Sequence, residues 1–402
     1  MGVLYFGLDI SLPSVLWMRR MLEGLGDDVS RVLCEYPPLE SQRRRWNLTQ
    51  IEDSRFEMLL WRALRKLRWV EHPPATRAAR RAVARAMDDP AVDVALVHYM
   101  TLAVRYAEVW RRQQKPIFVH CHGYDVTWDL RLHEPPHPRE HPPDYVDRVR
   151  ALPSHLQFLA NSHATAARLR EVGIPEERIH VKYLGVEMPE TPPEPRGDGQ
   201  ELNILYLGRL IDCKGPDLVI RAFHQACDQG LEGRLRIAGD GPLRQACEAA
   251  RADSPHAERI ELLGAVDGAR GAELRAWASL FVAHNQLGPV SRQEEAFGVS
   301  VVEAMAEGLP VVSGRSGSLP EIVDHGVHGL LVEPGDVAAQ AQAFLELAQD
   351  PERRMAMGRA GWERARERFS IEEEMTTLRG LLGLSTRSRL AESSDVPQGA
   401  DP

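Results

Sequence analysis

Two series of short apolar runs, separated by helix-length segments, constrain the fold of this chain more than any other feature. In the first half the runs occupy residues 3–8, 92–98, 116–122, 156–161 and 178–185. In the second half they occupy residues 203–208, 235–241, 259–264, 280–285, 310–313 and 329–334. Each run is continuous rather than alternating, which is typical of parallel strands covered by helices on both faces. The pattern predicts an α/β protein with two Rossmann-like units.

The 402 residues are enough for two domains that each bury a core. Residues 189–200 are rich in proline and glycine and predict an exposed linker between a domain at 1–188 and a domain at 201–370. We expect a helix at 371–386 that packs back toward the N-terminal domain, and a flexible polar tail at 387–402. The His- and Pro-rich segment 133–143 predicts a surface loop, because its prolines fix φ and remove backbone donors.

Charge and cysteine content narrow the function classes. The net charge is −9, with 27 Lys/Arg against 24 Asp/Glu in residues 1–188 and 22 against 34 in the remainder. A nucleic-acid-binding protein would usually carry a concentrated basic face, so no nucleic-acid partner is expected. Five cysteines without a CxxC pair argue against a disulfide framework and a zinc knuckle. The first residues predict a buried strand rather than a signal peptide, so we expect a cytoplasmic protein.

The segment LGRLIDCKG, residues 207–215, places two cations just after a predicted strand. Ligands of open α/β sheets gather at the carboxyl ends of strands, and Arg209 and Lys214 suit a diphosphate there. Two solvated surface charges are the alternative interpretation.

The segment EEAFGVSVVEAMAEGLPVV, residues 294–312, is the most specific motif of the chain. Glu295 precedes an apparent helix start, Phe297 and Gly298 are expected to leave backbone N–H groups free for an anion, and Glu303 lies within the helix. The two carboxylates suit sugar and ribose hydroxyls respectively. Alternatively, Glu295 caps the helix and Glu303 is solvated, although an unpaired charge in the apolar run around Glu303 would be costly.

The segments GRLIDCKG, AGDGPLR, EEAFGVSVVEAMAEGLPVV, GSLPEIV and DHGVHGLLVEPGD resemble, in order and spacing, the donor domain of the retaining glycosyltransferases of family 4. The resemblance is strong over about residues 201–370. It implies the GT-B fold, in which two Rossmann-like domains face each other across a cleft. It also implies that Glu303 holds the ribose, that Arg209 and Lys214 hold the diphosphate, and that Glu295 holds the sugar with the amides around Phe297 and Gly298. No metal and no cofactor is implied beyond the nucleoside-diphosphate sugar, which is a co-substrate.

The N-terminal half resembles the family more loosely. HCHGYDV, residues 120–126, is similar to the strand end from which family members point a histidine at the transferred sugar, and that position here is His122. The segment GLDISLPS departs from the family, because members often carry a Gly-Gly turn after the first strand. Overall the resemblance is closest to glycosyltransferases that build bacterial surface polysaccharides, so the acceptor is expected to be a lipid-linked saccharide.

Five histidines between residues 120 and 141 suggest a metal site as an alternative. Metal ligands must converge at a fixed geometry, and the Pro-rich segment separates most of these residues, so no metal is expected. His120 is expected to be a buried strand residue.

Residues 54–70 predict an amphipathic helix with an apolar face and a basic rim. The apolar face carries Phe56, Leu59, Leu60, Ala63, Leu64 and Leu67, and the basic rim carries Arg62, Arg65, Lys66 and Arg68. Such a face either packs on the sheet or lies at an anionic membrane surface, which would make the protein peripheral at the inner face of the membrane.

Taken together, these motifs predict a metal-independent, retaining glycosyltransferase that transfers a sugar to an acceptor hydroxyl in polysaccharide or glycolipid assembly. Three alternative functions are left by the sequence. They are glycosylation of a small secondary metabolite, epimerisation of a sugar nucleotide, and non-catalytic binding of a sugar nucleotide. A nicotinamide dehydrogenase is disfavoured, because GLDISLPS lacks the GxGxxG fingerprint.

Overall fold

The chain forms two parallel β-sheets in a computed structural model that describes residues 1–8, 16–36, 45–66, 75–126, 141–142, 144–194 and 201–385, with backbone only at 62–66. The linker residues 195–200, the tail from 386 onward and most of the loop expected at 133–143 lie outside the described residues. None of the described helices is both long enough and apolar enough to cross a membrane.

The first sheet has seven strands in the order β3-β2-β1-β4-β5-β6-β7. The strands are β1 Val3–Gly7, β2 Val29–Cys34, β3 Leu48–Gln50, β4 Val94–His98, β5 Ile117–Cys121, β6 Leu156–Ala160 and β7 Ile179–Val181. The helices of this half are α1 Leu16–Leu25, α2 Arg55–Lys66, α3 Arg77–Met87, α4 Met100–Arg105, α5 Ala107–Trp110, α6 Tyr145–Arg150 and α7 His163–Glu171.

The second sheet has six strands in the order β10-β9-β8-β11-β12-β13. The strands are β8 Leu202–Leu207, β9 Gly233–Ala238, β10 Ile260–Gly264, β11 Leu280–Val282, β12 Val311–Gly314 and β13 Gly329–Val332. The helices are α8 Pro216–Asp228, α9 Arg244–Ala252, α10 Gly268–Trp277, α11 Val299–Ala306, α12 Leu319–Ile322, α13 Val337–Gln349, α14 Pro351–Arg368 and α15 Ile371–Leu382. All pairings in both sheets are parallel, so all strand carboxyl ends of one sheet share an edge.

The apolar runs correspond to every strand of the second sheet but to only five strands of the first. Strands β2 and β3 were missed. The first three residues of β2 are only half-buried, and β3 is a three-residue edge strand with no buried position. Neither segment therefore carries the continuous apolar run on which the prediction relied.

The last helix, α15, returns to the N-terminal half and packs against α1. Lys182, which follows β7, forms an ion pair with Glu374 of α15, and the two side chains are 0% and 2% exposed. Arg379 pairs with Asp28 at 2.6 Å. A buried ion pair is costly to break, so α15 ties the chain end to the first sheet.

Candidate active site

The loop after β8 presents a cation to the cleft. The Tyr206 hydroxyl donates a hydrogen bond to the Arg209 carbonyl at 2.7 Å, which fixes the turn. The Arg209 side chain is exposed and makes no ion pair with the described residues. Burial raises the pKa of Tyr99 in the N-terminal half, and the positive charge of Arg209 opposes that shift. Arg209 is therefore close enough to Tyr99 of the other domain to act on it electrostatically. Its charge has no ion-pair partner among the described residues.

Lys214 and Glu295, which the sequence places on the diphosphate and the sugar, contact each other directly. They form a largely buried ion pair. Glu295 also accepts a hydrogen bond from the Gly298 N–H at 3.1 Å. The expectation that the Gly298 amide is free is therefore wrong in this state, because a carboxylate three residues earlier satisfies it as a helix cap would.

The start of helix α11 still offers unpaired donors. Gly298 adopts a φ of 74°, which lets the chain turn sharply into the helix. The amides of Val299 and Ser300 have no hydrogen-bond partner among the described residues. Phe297 is buried, and its ring lies 5.9 Å from that of Tyr183 and 5.6 Å from that of Phe369. The Phe297 side chain therefore anchors the loop, and only its backbone is available to a ligand.

Glu303 is paired with two arginines that the sequence analysis did not identify. Its Oε1 lies 3.2 Å from Nη1 of Arg20 in α1, and its Oε2 lies 3.3 Å from Nη1 of Arg275 in α10. Arg20 also contacts Glu187 at 3.2 Å. The charge within the apolar run is therefore compensated, and one of its partners comes from the opposite domain.

His122 follows β5 on the other side of the cleft. Its Nε2 lies 3.3 Å from Nδ1 of His98, and its ring packs against Trp17 with centroids 4.1 Å apart. Burial lowers the pKa of His122 well below its usual value, and His98 and Lys182 act in the same direction. The imidazole is therefore neutral at pH 7 and acts as a hydrogen-bonding group rather than a cation.

Asp125 holds the backbone of the His122 loop. Its Oδ1 accepts from the N–H groups of His122 and Gly123, both at 2.9 Å, and its Oδ2 accepts from Met100 N–H at 2.8 Å. Tyr99, the residue before Met100, has a φ of 74°, a conformation that non-glycine residues rarely adopt. Strain of this kind is concentrated at functional sites.

The His122 loop and the Glu295 loop meet across the cleft. A Cβ atom at Gly123 would lie 2.9 Å from the Cβ of Ala296, closer than ordinary contact. Between the two loops lies a cavity of about 30 Å³ that Gly123 and Glu295 both line. That volume is far below the range of about 300–1,000 Å³ typical of small-molecule sites, so the two loops leave little room for a sugar ring in this arrangement.

Three histidines converge at the carboxyl ends of β4 and β5. The ligand atoms of His98, His120 and His122 lie within 4.8 Å of one another. His120 is buried in its strand, as predicted. His98 was missed, since it lies 22 residues before His120 and only the parallel pairing of β4 with β5 brings them together.

The surroundings of these imidazoles do not favour a metal ion. Metal-ligating histidines usually donate their second ring N–H to a carboxylate or carbonyl. Among the described residues, His98 Nε2, both ring nitrogens of His120 and His122 Nδ1 have no hydrogen-bond partner. The positive charge of Lys182 also acts on all three rings. The three imidazoles therefore lack the hydrogen-bonded support that metal-ligating histidines usually have.

Comparison with known proteins identifies the family. Residues 188–364 match the model of the "Glycosyl transferases group 1" and residues 14–190 match that of "Glycosyltransferase Family 4". The chain belongs to this family of glycosyltransferases.

Individual relatives agree with this assignment. The amylovoran biosynthesis glycosyltransferase AmsK of Erwinia amylovora is 31% identical over 64% of this chain and 62% of its own length. A GDP-mannose-dependent phosphatidylinositol monomannoside mannosyltransferase of Corynebacterium glutamicum is 32% identical over 64% of this chain and 67% of its own length. The chain thus spans about two thirds of the length of these relatives.

Solved structures establish the fold. Anabaena HepE in complex with UDP and glucose superposes with a TM-score of 0.72 at 19% identity, over 95% of this chain and 99% of that protein. The two parallel sheets with the cleft between them are the GT-B fold that the sequence predicted.

Proposed function

We propose that this protein is a retaining, metal-independent glycosyltransferase that moves a sugar from a nucleoside-diphosphate sugar to an acceptor hydroxyl. The observation that supports this most strongly is the meeting of the His122 and Glu295 loops across the cleft. Gly123 approaches Ala296, and both loops lie at strand carboxyl ends, where α/β proteins bind ligands. A sugar between these loops contacts an imidazole from one domain and a carboxylate from the other.

The donor half supplies the groups that a nucleotide sugar requires. Arg209 and Lys214 neutralise the diphosphate, and the free amides at the start of α11 supplement them. Glu303 accepts hydrogen bonds from the ribose hydroxyls. Binding the donor therefore exchanges two ion pairs, Lys214–Glu295 and Arg20–Glu303, for contacts to the ligand.

Relatives and neighbours suggest which donors to test first. The Corynebacterium glutamicum relative is named for its dependence on GDP-mannose, and Anabaena HepE was solved with UDP and glucose. We propose a uridine or guanosine diphosphate sugar as the donor.

The carboxylates at the site support retention without double displacement. Asp125 is buried and engaged by three backbone N–H groups, and Glu295 is engaged by Lys214 and Gly298. Neither is arranged as a nucleophile. In the mechanism that the family resemblance implies, the acceptor attacks from the face that the diphosphate leaves. A phosphate oxygen takes the acceptor's proton as the bond to the diphosphate breaks.

In that mechanism the protein positions groups and stabilises charge. Arg209 and Lys214 stabilise the developing charge of the diphosphate, and neutral His122 binds a sugar hydroxyl. Closure of the cleft then excludes water from the reacting sugar. Because the two loops come from different domains, neither domain is expected to catalyse transfer alone.

We further propose that the acceptor is a lipid-linked saccharide reached at the inner face of the cell membrane. Of the relatives named above, one is named for amylovoran biosynthesis and the other for a monoacylated phosphatidylinositol monomannoside. In helix α2, Phe56, Leu59 and Leu60 are 76%, 63% and 52% exposed. The alternative that this face packs on the sheet is therefore wrong for these three residues, and an exposed apolar face suits a membrane surface. Of the basic residues, Arg62, Arg65 and Lys66 have undescribed side chains and Arg68 lies outside the described residues.

A thermal-shift series with UDP-, GDP- and ADP-sugars tests the donor assignment. A donor at one hundred times its dissociation constant stabilises the protein by about 2.7 kcal/mol. We expect one nucleotide class to raise Tm, and Arg209→Ala to reduce that increase. If no nucleotide sugar raises Tm at millimolar concentration, the proposed function is wrong.

A further inference from the structure

A second pocket, of about 400 Å³, opens in the N-terminal domain at the carboxyl ends of β2 and β3. Residues that line this β2–β3 pocket include Glu35, Tyr36, Gln50, Asp53, Arg55 and Arg105. Its volume lies within the range of small-molecule sites, about 300–1,000 Å³. The pocket shares the cleft-facing edge of the sheet with the His122 loop, but none of the residues assigned to the donor lines it.

The floor of the pocket is held rigidly. Arg105 lies between two carboxylates, with its Nε 2.9 Å from Glu35 Oε1 and its Nη2 2.5 Å from Asp53 Oδ2. The Tyr106 hydroxyl donates to the same Glu35 oxygen at 2.8 Å, and the Thr76 N–H donates to Asp53 Oδ1 at 3.2 Å. These ion pairs and hydrogen bonds hold both carboxylates, while Glu35 Oε2 has no partner among the described residues. The pocket therefore presents a preorganised acceptor.

The charge of the lining indicates what kind of ligand fits. Among the described lining residues, three are acidic, Glu35, Glu52 and Asp53, and two are basic, Arg55 and Arg105. An excess of carboxylates repels a phosphate or a nucleotide. Fixed carboxylate and guanidinium groups instead suit a neutral molecule with many hydroxyls, because they accept from and donate to those hydroxyls without meeting a ligand charge.

One aromatic side chain completes the pocket. Tyr36 is 56% exposed although its ring is large and mostly apolar. Tyrosine combines a flat apolar face with a polar hydroxyl, which suits the C–H face of a sugar ring. A ring that stacks on Tyr36 places its hydroxyls toward Glu35 and Asp53.

We infer that the β2–β3 pocket binds a neutral saccharide, namely the part of the acceptor that is not being glycosylated. The inference rests on the proposed function, since it assigns the acceptor to this domain. Helix α2 begins at Arg55 on the pocket rim and continues into exposed Phe56, Leu59 and Leu60. A saccharide attached to a lipid at this helix surface therefore reaches the open side of the pocket, next to Arg55.

The test is saturation-transfer NMR on the full chain with the methyl glycosides of mannose, glucose, galactose and N-acetylglucosamine, each at millimolar concentration. The variants are Tyr36→Ala, with Tyr36→Phe as the control that keeps the ring, and Asp53→Asn. Tm of each variant is measured alongside, and Tyr36 is exposed enough for its variants to fold. Steady-state kinetics on the donor identified by thermal shift add a second readout. Tyr36→Ala is expected to raise acceptor KM about fivefold to tenfold and to leave donor KM unchanged.

The outcomes separate this pocket from the donor site. Signal that is lost in Tyr36→Ala and Asp53→Asn but kept in Tyr36→Phe supports the inference. The absence of any glycoside signal in the wild type overturns the inference. A signal that survives Tyr36→Ala but disappears in Glu295→Gln also overturns it, because such a signal comes from the donor site. Inorganic phosphate that competes with the glycosides overturns the assignment to a neutral ligand. The proposed function itself fails by a different measurement, the absence of any nucleotide-sugar thermal shift.

Discussion

Arg20 of the N-terminal domain and Glu303 of the C-terminal domain form an ion pair of 3.2 Å across the cleft. Glu303 is the carboxylate that we propose for the ribose, and one of its oxygens is bound by a guanidinium of the opposite domain. Arg275 binds the other oxygen of Glu303 at 3.3 Å from within the donor domain. If Glu303 binds the ribose as we propose, the interdomain pair competes with the nucleotide, whereas the intradomain pair orients the carboxylate.

This competition predicts that Arg20→Ala tightens binding of the nucleotide. The two side chains are largely buried, and releasing Glu303 from a contact of about 1 kcal/mol should lower the dissociation constant of the nucleoside diphosphate about fivefold. Arg19→Ala, on the same helix, is the matched control, and titration calorimetry is the measurement. Weaker binding in Arg20→Ala would show that Arg20 assists the nucleotide rather than competing with it.

The cations after β8 are expected to stabilise the leaving diphosphate. Arg209→Ala and Lys214→Ala should each lower kcat about a hundredfold, as loss of one preorganised charge typically does. Arg221→Ala, an exposed arginine in α8, should leave kcat unchanged. Turnover should persist in EDTA. Loss of activity in EDTA that magnesium or manganese restores would contradict this assignment of the diphosphate to side-chain cations.

The strands of the donor half were predictable, and its candidate site residues stood out, because both patterns are local. Arg209 and Lys214 follow one strand, and Glu295, Phe297, Gly298 and Glu303 lie within nine consecutive residues around one helix start. The continuous apolar strands β8 to β13 are the kind of pattern that a single sequence reveals. The resemblance to family 4 depended on these same segments.

The residues that were missed depend on the tertiary fold. Arg20 reaches Glu303 over 283 positions of sequence, and His98 reaches His122 only because β4 and β5 are neighbours. Asp125 stood within the quoted HCHGYDV segment, but its role lies in backbone hydrogen bonds that a sequence does not display. The β2–β3 pocket was missed together with the two strands that form it.

The buried histidines predict a loss of stability in mild acid. Burial lowers the pKa of His98 well below its usual value, and Lys182 acts in the same direction. The folded protein therefore keeps this ring neutral, whereas the unfolded chain binds a proton below a pKa of about 6.5. The stability that His98 contributes is complete above that pH and decreases as the pH falls. Between pH 7.5 and 5.5 the loss is about 1.4 kcal/mol for one such residue.

Urea unfolding at the two pH values measures this effect. His98→Gln should lose less stability than the wild type over the interval, by about that amount. His155→Gln, at an exposed position just before β6, should keep the wild-type difference. An identical pH dependence in His98→Gln and the wild type would show that His98 does not contribute.

Helix α2 is expected to bind anionic vesicles through its exposed face. Leu59→Asp removes a large apolar group from the surface and adds a repelled charge, so vesicle binding should fall at least about tenfold. Val327→Asp, at an exposed apolar residue of the other domain, is the control. Replacing the four basic residues by glutamine should remove the salt dependence of binding; they are Arg62, Arg65, Lys66 and Arg68. If that variant binds vesicles as the wild type does, the membrane proposal is wrong.

Retention of configuration is the claim on which the proposed chemistry depends most directly. The decisive measurement is NMR of the product formed from a donor labelled with ¹³C at the anomeric carbon, with EDTA present throughout. We expect the transferred sugar to keep the anomeric configuration that it had in the donor. A product of inverted configuration would contradict the mechanism.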